Sequence, residues 1–153
     1  MIYLRLLAVS VLCPSASVFA QAAPRVLSPV EAVIGAAEAA TTSQRVLQGV
    51  FEMQVRAVGR QDSLLYLNSE TDYRDQRSLT IAVTPAVQRA LREKYGDNVD
   101  GQLVGKRIRV SGSAQRITIW FSCYGKKTDK YYYQTHVPVF KLEQLTILDS
   151  SGE

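Results

Sequence analysis

The sequence predicts a mainly β domain, a five-stranded barrel with one helix between its third and fourth strands and an extra helix in front. Two observations predict this class. Apolar and polar residues alternate over several long stretches, as is typical of half-buried strands. Two other segments change to helical spacing, and each begins with Ser or Thr followed by Pro. The 153 residues are enough for one domain with a substantial core.

Residues 1–20 have the character of a secretory signal peptide. Arg5 precedes an apolar run from Leu6 to Leu12, and small residues surround Ala20. A membrane anchor is the alternative, but the run is far shorter than the ~20 residues of a spanning helix. We therefore expect cleavage near Ala20, a periplasmic or secreted protein, and no membrane span in the mature chain.

Residues 21–44 are predicted to form an N-terminal extension that carries a helix. Ser28 can cap this helix, Pro29 suits its first turn, and Glu31 completes a capping box. We expect the helix to pack on the rest of the domain through a narrow apolar stripe. The stripe consists of Val30, Ile34 and Ala37.

Residues 45–148 are predicted to form the barrel, and residues 149–153 a tail. The first strand covers residues 45–58, the second Leu64–Asn68, and the third the alternating residues around Ile81. The inward side of the first strand is the longest alternating pattern in the chain. It consists of Leu47, Gly49, Phe51, Met53, Val55 and Ala57.

The second half of the barrel begins with a helix capped by Thr84 and ended by Gly96. Residues 106–121 are predicted as the fourth strand and 122–130 as a turn. Residues 131–148 are predicted as the fifth strand, interrupted near Pro138. The order of three strands, helix and two strands is that of the oligonucleotide- and oligosaccharide-binding OB-fold.

Several motifs resemble a poorly characterised group of small, exported bacterial OB-fold proteins. They are Tyr66-Leu67-Asn68, Asp72-Tyr73-Arg74, the segment LVGKRIRVSG at 103–112, and EQLTIL at 143–148. The resemblance covers about residues 28–148. It implies the fold, and by analogy of fold the binding of nucleic acid or another oligomer. Two positions depart from the pattern: Ser69 replaces a common aromatic, and YGKKTDKYYYQTH replaces a short turn.

Charge and cysteine content add two expectations. Residues 101–153 carry eight Lys and Arg against four Asp and Glu, an excess that can attract phosphates or anionic surfaces. Cleavage near Ala20 removes Cys13 and leaves Cys123 as an odd thiol. Such a thiol is either buried or paired with another molecule, and its place after the apolar ITIWF segment favours burial.

Catalytic, metal and cofactor sites are not predicted. Glu70, Asp72 and Asp75 allow acid–base chemistry, metal binding or ligand contact, but Arg74 and Arg77 can pair with them in an ordinary charged loop. The single histidine, His136, has no nucleophile motif near it, and one histidine with one cysteine cannot form a standard zinc site. We expect a protein that is not an enzyme and has no cofactor.

A binding site is expected where OB-folds bind, on strands two and three and the loops beside them. Aromatic side chains there can stack on bases, and cations can contact phosphates. The predicted partner is single-stranded nucleic acid or another anionic oligomer; the alternative is an envelope protein, contacted through the YYY segment or an exposed Cys123. Tyr132 is open to interpretation as a core residue. The candidate ligand-binding residues are Arg60, Tyr66, Asn68, Arg74, Arg77, Lys126, Lys127, Lys130, Tyr131 and Tyr133.

Overall fold

Eight strands and three α-helices make up residues 25–148, the part of the chain that this computed structural model describes. The predicted signal peptide, its predicted cleavage point and the predicted tail lie outside this range. The elements in chain order are β1 (Val26–Leu27), α1 (Pro29–Ala39), β2 (Leu47–Gln54), β3 (Ala57–Gln61), β4 (Leu64–Asn68), β5 (Leu79–Val83), α2 (Pro85–Tyr95), α3 (Val99–Leu103), β6 (Arg107–Cys123), β7 (Lys126–Val139), a 3₁₀ turn (Leu142–Gln144) and β8 (Leu145–Leu148). No α-helix among these is long and apolar enough to cross a membrane.

The strands form one mixed sheet. Its order is β1-β2-β6-β7-β5-β4-β3, with β8 also paired to β6. The pairs β1–β2 and β5–β7 are parallel, and the others are antiparallel. The mainly β class and the helix before the long strand β6 are confirmed. The closed five-stranded barrel was wrong, because the described residues form eight strands in an open sheet.

Two predicted strands are each divided in the structure. The first divides at Val55 and Arg56: Val55 N donates to Lys106 O at 2.9 Å, and Arg56 N donates to Asn68 O at 2.8 Å. The chain thus leaves the β6 side of the sheet and joins β4 within two residues. The predicted fifth strand divides after β7 rather than at Pro138, which stays paired beside Ala82.

The core lies under the inward faces of β2, β4, β5, β6 and β7, and α2 and α3 contribute to it. Strand β4 matches the predicted second strand, and alternation places its Leu65 and Leu67 inward. Helix α3 replaces part of the predicted loop after Gly96, because it buries Val99 and Leu103. Helix α2 begins and ends as predicted, but the Thr84 side chain makes no capping hydrogen bond.

Helix α1 has the predicted capping box, in which the Ser28 and Glu31 side chains each accept from the other residue's backbone N–H. The predicted packing stripe was wrong. Val30 and Ile34 are exposed, whereas Ala32 and Ala36 are fully buried against the sheet. Small residues let the helix approach closely: a Cβ at Gly35 would lie 2.7 Å from the Leu47 Cδ2 atom.

Strands β6 and β7 continue beyond the sheet as a two-stranded arm, residues 115–134. Strand β2 pairs with β6 only up to Ala114, and β5 pairs with β7 only from Thr135 onward. The turn is the two residues Tyr124 and Gly125, so the predicted 122–130 turn was wrong. Cys123 lies exposed at the tip, which corrects the expectation of burial.

Candidate functional site

A cleft of about 590 Å³ opens on the outer face of strands β3, β4, β5 and β7. Residues two apart on a strand share a face, so the side chains that alternate with the buried ones project into it. Strand pairing places Asn68 beside Thr80, and Thr80 beside His136. The side chains that define the cleft are Tyr66, Asn68, Thr80, Tyr132, Gln134 and His136.

Two sets of hydrogen bonds orient the polar side chains of the cleft. The Thr80 hydroxyl donates to Asn68 Oδ1 at 2.8 Å, between two buried residues. His136 Nε2 donates to Gln134 Oε1 at 2.7 Å, and Gln134 Nε2 donates to the Tyr132 hydroxyl at 3.0 Å. These bonds leave Asn68 Nδ2 without a partner among residues 25–148, so it can donate to a ligand.

The cleft is uncharged at neutral pH. Burial lowers the pKa of His136 from 6.5 to about 4, so its imidazole is neutral. Arg60 lines the cleft, but its guanidinium donates to Gln88 Oε1 at 2.8 Å and pairs with Asp100. A neutral cleft with aromatic and amide groups suits a planar polar group better than it suits a phosphate.

One wall of the cleft is bare backbone. Gly59 pairs with Tyr66 across β3 and β4, and no atom lies within 4 Å of the position its Cβ would take. Its φ is not in the left-handed region, so the glycine is not required by the backbone. The open space beside the Tyr66 ring is therefore available to a ligand.

The loop between β4 and β5 is a charged structural loop, as its sequence favoured. Asp72 Oδ1 accepts from the Arg74 backbone N–H at 2.9 Å. Arg77 contacts both oxygens of Asp75, and these bonds together with one from its backbone lower the pKa of Asp75 to about 2. The Asn68 side chain bonds Thr80 and does not bond a turn amide as predicted.

Ser69, which replaces the aromatic expected from the resemblance, has a structural role at the base of this loop. Its hydroxyl accepts from the Leu79 backbone N–H at 2.9 Å, and its own N–H donates to Leu79 O at 3.0 Å. The residue is buried. The two bonds hold the ends of the loop together, and Tyr73 within this loop also lines the cleft.

The arm carries a ladder of aromatic rings and cations on the face opposite the cleft. Ring centroids are 5.0 Å apart for Trp120 and Tyr131, and 5.4 Å apart for Tyr131 and Tyr133. Arg116 Cζ lies 3.4 Å from the centroid of Tyr133, and Lys127 Nζ lies 3.7 Å from that of Trp120. The ladder thus ends in a cation on each side.

The predicted binding residues fall in three places. Tyr66, Asn68 and Arg60 lie at the cleft. Arg74 lies over the Tyr73 ring in the loop at 5.2 Å, and Arg77 is held by Asp75. The remaining five are on the arm, where Lys126 and Lys130 are exposed near the tip. Tyr131 and Tyr133 belong to the ladder, so the structure does not bring them together with Tyr66.

Tyr132, Gln134 and His136 were missed as site residues. They share the outer face of β7 because Val137 and Val139 take the inward face. The period of two in YYYQTH was a signal for this, since fixing Val137 as core places every even-numbered residue outside. Tyr132 was open to interpretation as a core residue and was left out of the candidate set, whereas the structure places it in the lining of the cleft.

The described residues also show the surroundings of His136 and the grouping of the metal-ligating side chains. Residues 25–148 contain no group of three His, Cys, Asp or Glu side chains that could hold a metal ion. His136 has no acidic or nucleophilic partner; its ring lies 5.8 Å from that of Tyr66 and its hydrogen bond is to an amide.

Comparison with known proteins gives little guidance. No family model matches the chain, and no curated protein matches it. Among solved structures, a protein described as an aspartyl-tRNA synthetase from Leishmania major Friedlin has a TM-score of 0.39 and 6% sequence identity. The match covers 88% of this chain and 23% of the synthetase chain, so the protein spans less than a quarter of that chain's length. A TM-score this low does not indicate a shared fold.

Proposed function

We propose that the protein is a non-enzymatic binding protein whose cleft takes the bases of single-stranded nucleic acid, or the planar polar groups of a similar extended anionic ligand. The observation that carries this proposal is the neutral cleft, in which aromatic rings and oriented amides lie side by side. Tyr66 and Tyr132 offer rings for stacking, and Asn68 offers a free donor. Every base has a face that can stack and an edge that can accept a hydrogen bond.

Cations without acidic partners support an anionic ligand. Among the described residues, Arg74, Lys126 and Lys130 form no salt bridge with an acid, unlike Arg60 and Arg77, and none of the three belongs to the ladder on the opposite face. Such cations gain free energy by releasing counterions from a phosphate backbone. We infer that bases enter the cleft and that phosphates run outside it, along the loop and the arm.

The strand connectivity supports an OB-type arrangement. Strands β4 and β5 correspond to the second and third predicted strands, and the cleft lies on their outer face, where OB-folds bind oligomers. The turn between β3 and β4 borders one end of the cleft, and the arm borders the other. The loops and strands that bind ligands in that fold are therefore the ones that surround this cleft.

Fluorescence anisotropy with labelled single-stranded DNA and RNA tests the proposal on the full chain. Gly59→Leu fills the open space beside Tyr66 without backbone strain and should abolish binding while the protein remains folded. Tyr66→Ala should weaken binding by about 1–3 kcal/mol through lost stacking. Tyr95→Ala is the matched control, because Tyr95 is exposed on α2 and lies outside the cleft. Equal binding by Gly59→Leu and the native chain would refute the assignment of the cleft.

The phosphate path has a separate test. Replacing Lys126, Lys127 and Lys130 by Ala should reduce the slope of log affinity against log salt by about one for each lost phosphate contact. Binding to both nucleic acids that is independent of salt would exclude a phosphate-dominated complex.

A second candidate is a protein-interaction module of the cell envelope. Trp120, Phe121, Tyr124 and Tyr131 are each exposed on the arm, and the rings of Trp120 and Tyr131 are 5.0 Å apart. Exposed aromatic residues are typical of protein interfaces. A complex with an envelope protein that persists at high salt, and that Trp120→Ala disrupts, would favour this candidate.

We also propose that the chain is exported, on the strength of residues 1–20. N-terminal sequencing of the protein recovered from a periplasmic extract should begin just after Ala20. Recovery with an intact Met1 from the cytoplasm would contradict this proposal.

A further inference from the structure

One edge of the arm is unpaired. Strand β6 pairs with β2 as far as Leu47 and Ala114, and on its other edge residues 115–120 pair with β7. On the β2 side, no strand of the described chain covers residues 115–121. Unpaired edges present a row of free backbone N–H and C=O groups that can bind another strand.

The composition of this edge favours pairing. Ile117-Thr118-Ile119-Trp120-Phe121 contains only β-branched and aromatic residues, which have the highest preference for strands. Proteins usually protect exposed edges with charges, prolines or bulges. Here the bulge follows Trp120 and the lysines follow the turn, so Arg116 is the only protecting charge among residues 115–121.

We propose that two copies of this chain associate by pairing their β6 edges antiparallel about Thr118, so that Thr118 of one copy lies opposite Thr118 of the other. In this register Arg116 lies opposite Trp120 of the second copy, and Ile117 lies opposite Ile119 of the second copy. The same surface serves on both sides, which is the requirement for a closed dimer with two-fold symmetry.

The chemistry of the register is self-complementary. A guanidinium beside an indole is a favourable cation–π pair, and paired isoleucines bury apolar surface on the other face. Arg116 already lies against Tyr133 in its own chain, so it is held in place before it meets Trp120 of the second copy. Like charges do not meet within the paired segment, because Arg116 is its only charged residue.

The length of the edge selects this register. The edge begins after Ala114, where β2 ends, and runs to Phe121, which the irregularity between Trp120 and Ser122 leaves without a partner on β7. Thr118 is the centre of the segment 115–121, so pairing about Thr118 uses all of it. With a shift of two residues in either direction, residues of one copy would meet positions of the other that β2 already pairs with or that the bulge distorts. Fewer residue pairs could then form between the two copies.

The pairing also extends the cleft. Ile119 lines the cleft, and Ile117 shares its face. Placing Ile117 of the second copy beside Ile119 adds an apolar wall contributed by the other chain. Both clefts then open on the same face of one continuous sheet, because a two-fold axis perpendicular to a sheet leaves equivalent faces on the same side.

Disulfide trapping tests the register in the full chain with Cys13 and Cys123 replaced by Ser. Thr118→Cys should form a covalent dimer under mild oxidation, because directly opposed residues in antiparallel strands have Cα atoms about 4.5–5.5 Å apart, within the range of a disulfide. Tyr124→Cys is the control, since Tyr124 is fully exposed at the tip and off the edge. Cross-linking of both at equal rates, or of Tyr124→Cys alone, would overturn the proposal.

Analytical ultracentrifugation provides the second measurement. The native chain should change from monomer to dimer with concentration over roughly 1–100 µM. Ile117→Lys should raise the dissociation constant at least tenfold by opposing a charge to Ile119 of the second copy. Phe140→Lys, at an exposed aromatic outside the arm, should leave it unchanged. A native chain that stays monomeric throughout this range overturns the proposal, as does equal weakening by the two variants.

Discussion

The ring of Tyr66 lies 5.8 Å from the imidazole of His136, centroid to centroid, and is tilted by 59° to it. The two residues belong to strands that are not neighbours, since β5 runs between β4 and β7. Ala82 stands opposite Tyr66 on β5, and its small side chain lets the ring reach across the strand. The contact therefore joins the two sides of the cleft and gives it an aromatic floor.

The burial of His136 predicts that the free energy of unfolding depends on pH. Its folded pKa of about 4 lies below the unfolded value near 6.5, so between these values the unfolded chain binds more protons. The free energy of unfolding should therefore rise with pH across this window. The stability that the neutral His136 contributes should be lost as pH falls from 6.5 toward 4. The whole effect should be on the order of 3 kcal/mol. Urea unfolding at several pH values measures it, and His136→Phe should flatten the slope. A slope equal in both proteins would assign the pH dependence to other groups.

The bond between Thr80 and Asn68 should be important for stability. Thr80→Val preserves shape but leaves Asn68 Oδ1 buried without its donor, which should cost about 1–3 kcal/mol in the free energy of unfolding. Thr128→Val is the matched control, because Thr128 donates to Phe121 O on the exposed arm. Chemical denaturation at neutral pH measures the free energy of unfolding of both variants. Equal losses would mean that burial of the Thr80–Asn68 hydrogen bond has no effect on stability.

The packing of α1 predicts opposite responses on its two faces. Ala36→Leu should destabilise the fold by about 1–3 kcal/mol, because Ala36 is fully buried and has no space for a larger side chain. Ile34→Gln should change stability by less than about 0.5 kcal/mol, because Ile34 is exposed. Thermal unfolding of both variants measures these effects. A large loss of stability from Ile34→Gln would support the packing stripe that the sequence predicted.

The turn of the arm offers a stabilising substitution. Tyr124 has a φ of 49° and Gly125 a φ of 73°, the left-handed region that a two-residue hairpin turn needs. A tyrosine is strained there by roughly 1–2 kcal/mol, whereas asparagine tolerates this region. Tyr124→Asn should therefore protect the arm amides from hydrogen exchange, and Tyr124→Val should expose them. No difference between these variants would show that the turn does not limit opening of the arm.

Alternation along single strands predicted much of the fold. The inward residues Phe51, Met53 and Val55 were evident from their period of two, and Pro85 and Gly96 marked the limits of α2. The packing of α1 was not evident, because apolar character favoured Val30 and Ile34 whereas close approach to the sheet selected Ala32 and Ala36. Side-chain size decides such a contact, and the partner surface is unknown from sequence alone.

The site was predicted in part for a similar reason. Tyr66 and Asn68 were identified from the fold expected for their strand, and they do line the cleft. The other half of the cleft comes from β7, which lies beside β5 through a parallel pairing of residues far apart in the chain. Periodicity gives the face of a residue within its own strand but not the neighbour of that strand, so Gln134 and His136 were not recognised.

The division of the first predicted strand at Val55 and Arg56 has a consequence for folding kinetics. Strand β2, before this point, must pair with β6, which follows some fifty residues later. Strand β3, after this point, must pair with β4, which follows within about ten residues. The β3–β4 hairpin is local and can form early, whereas the β2–β6 pairing must wait for the closure of a long loop. Because Val55 and Arg56 connect the β2–β6 pairing directly to the β3–β4 pairing, loss of one pairing should disrupt the other. The two halves of the sheet should therefore unfold as a single cooperative unit.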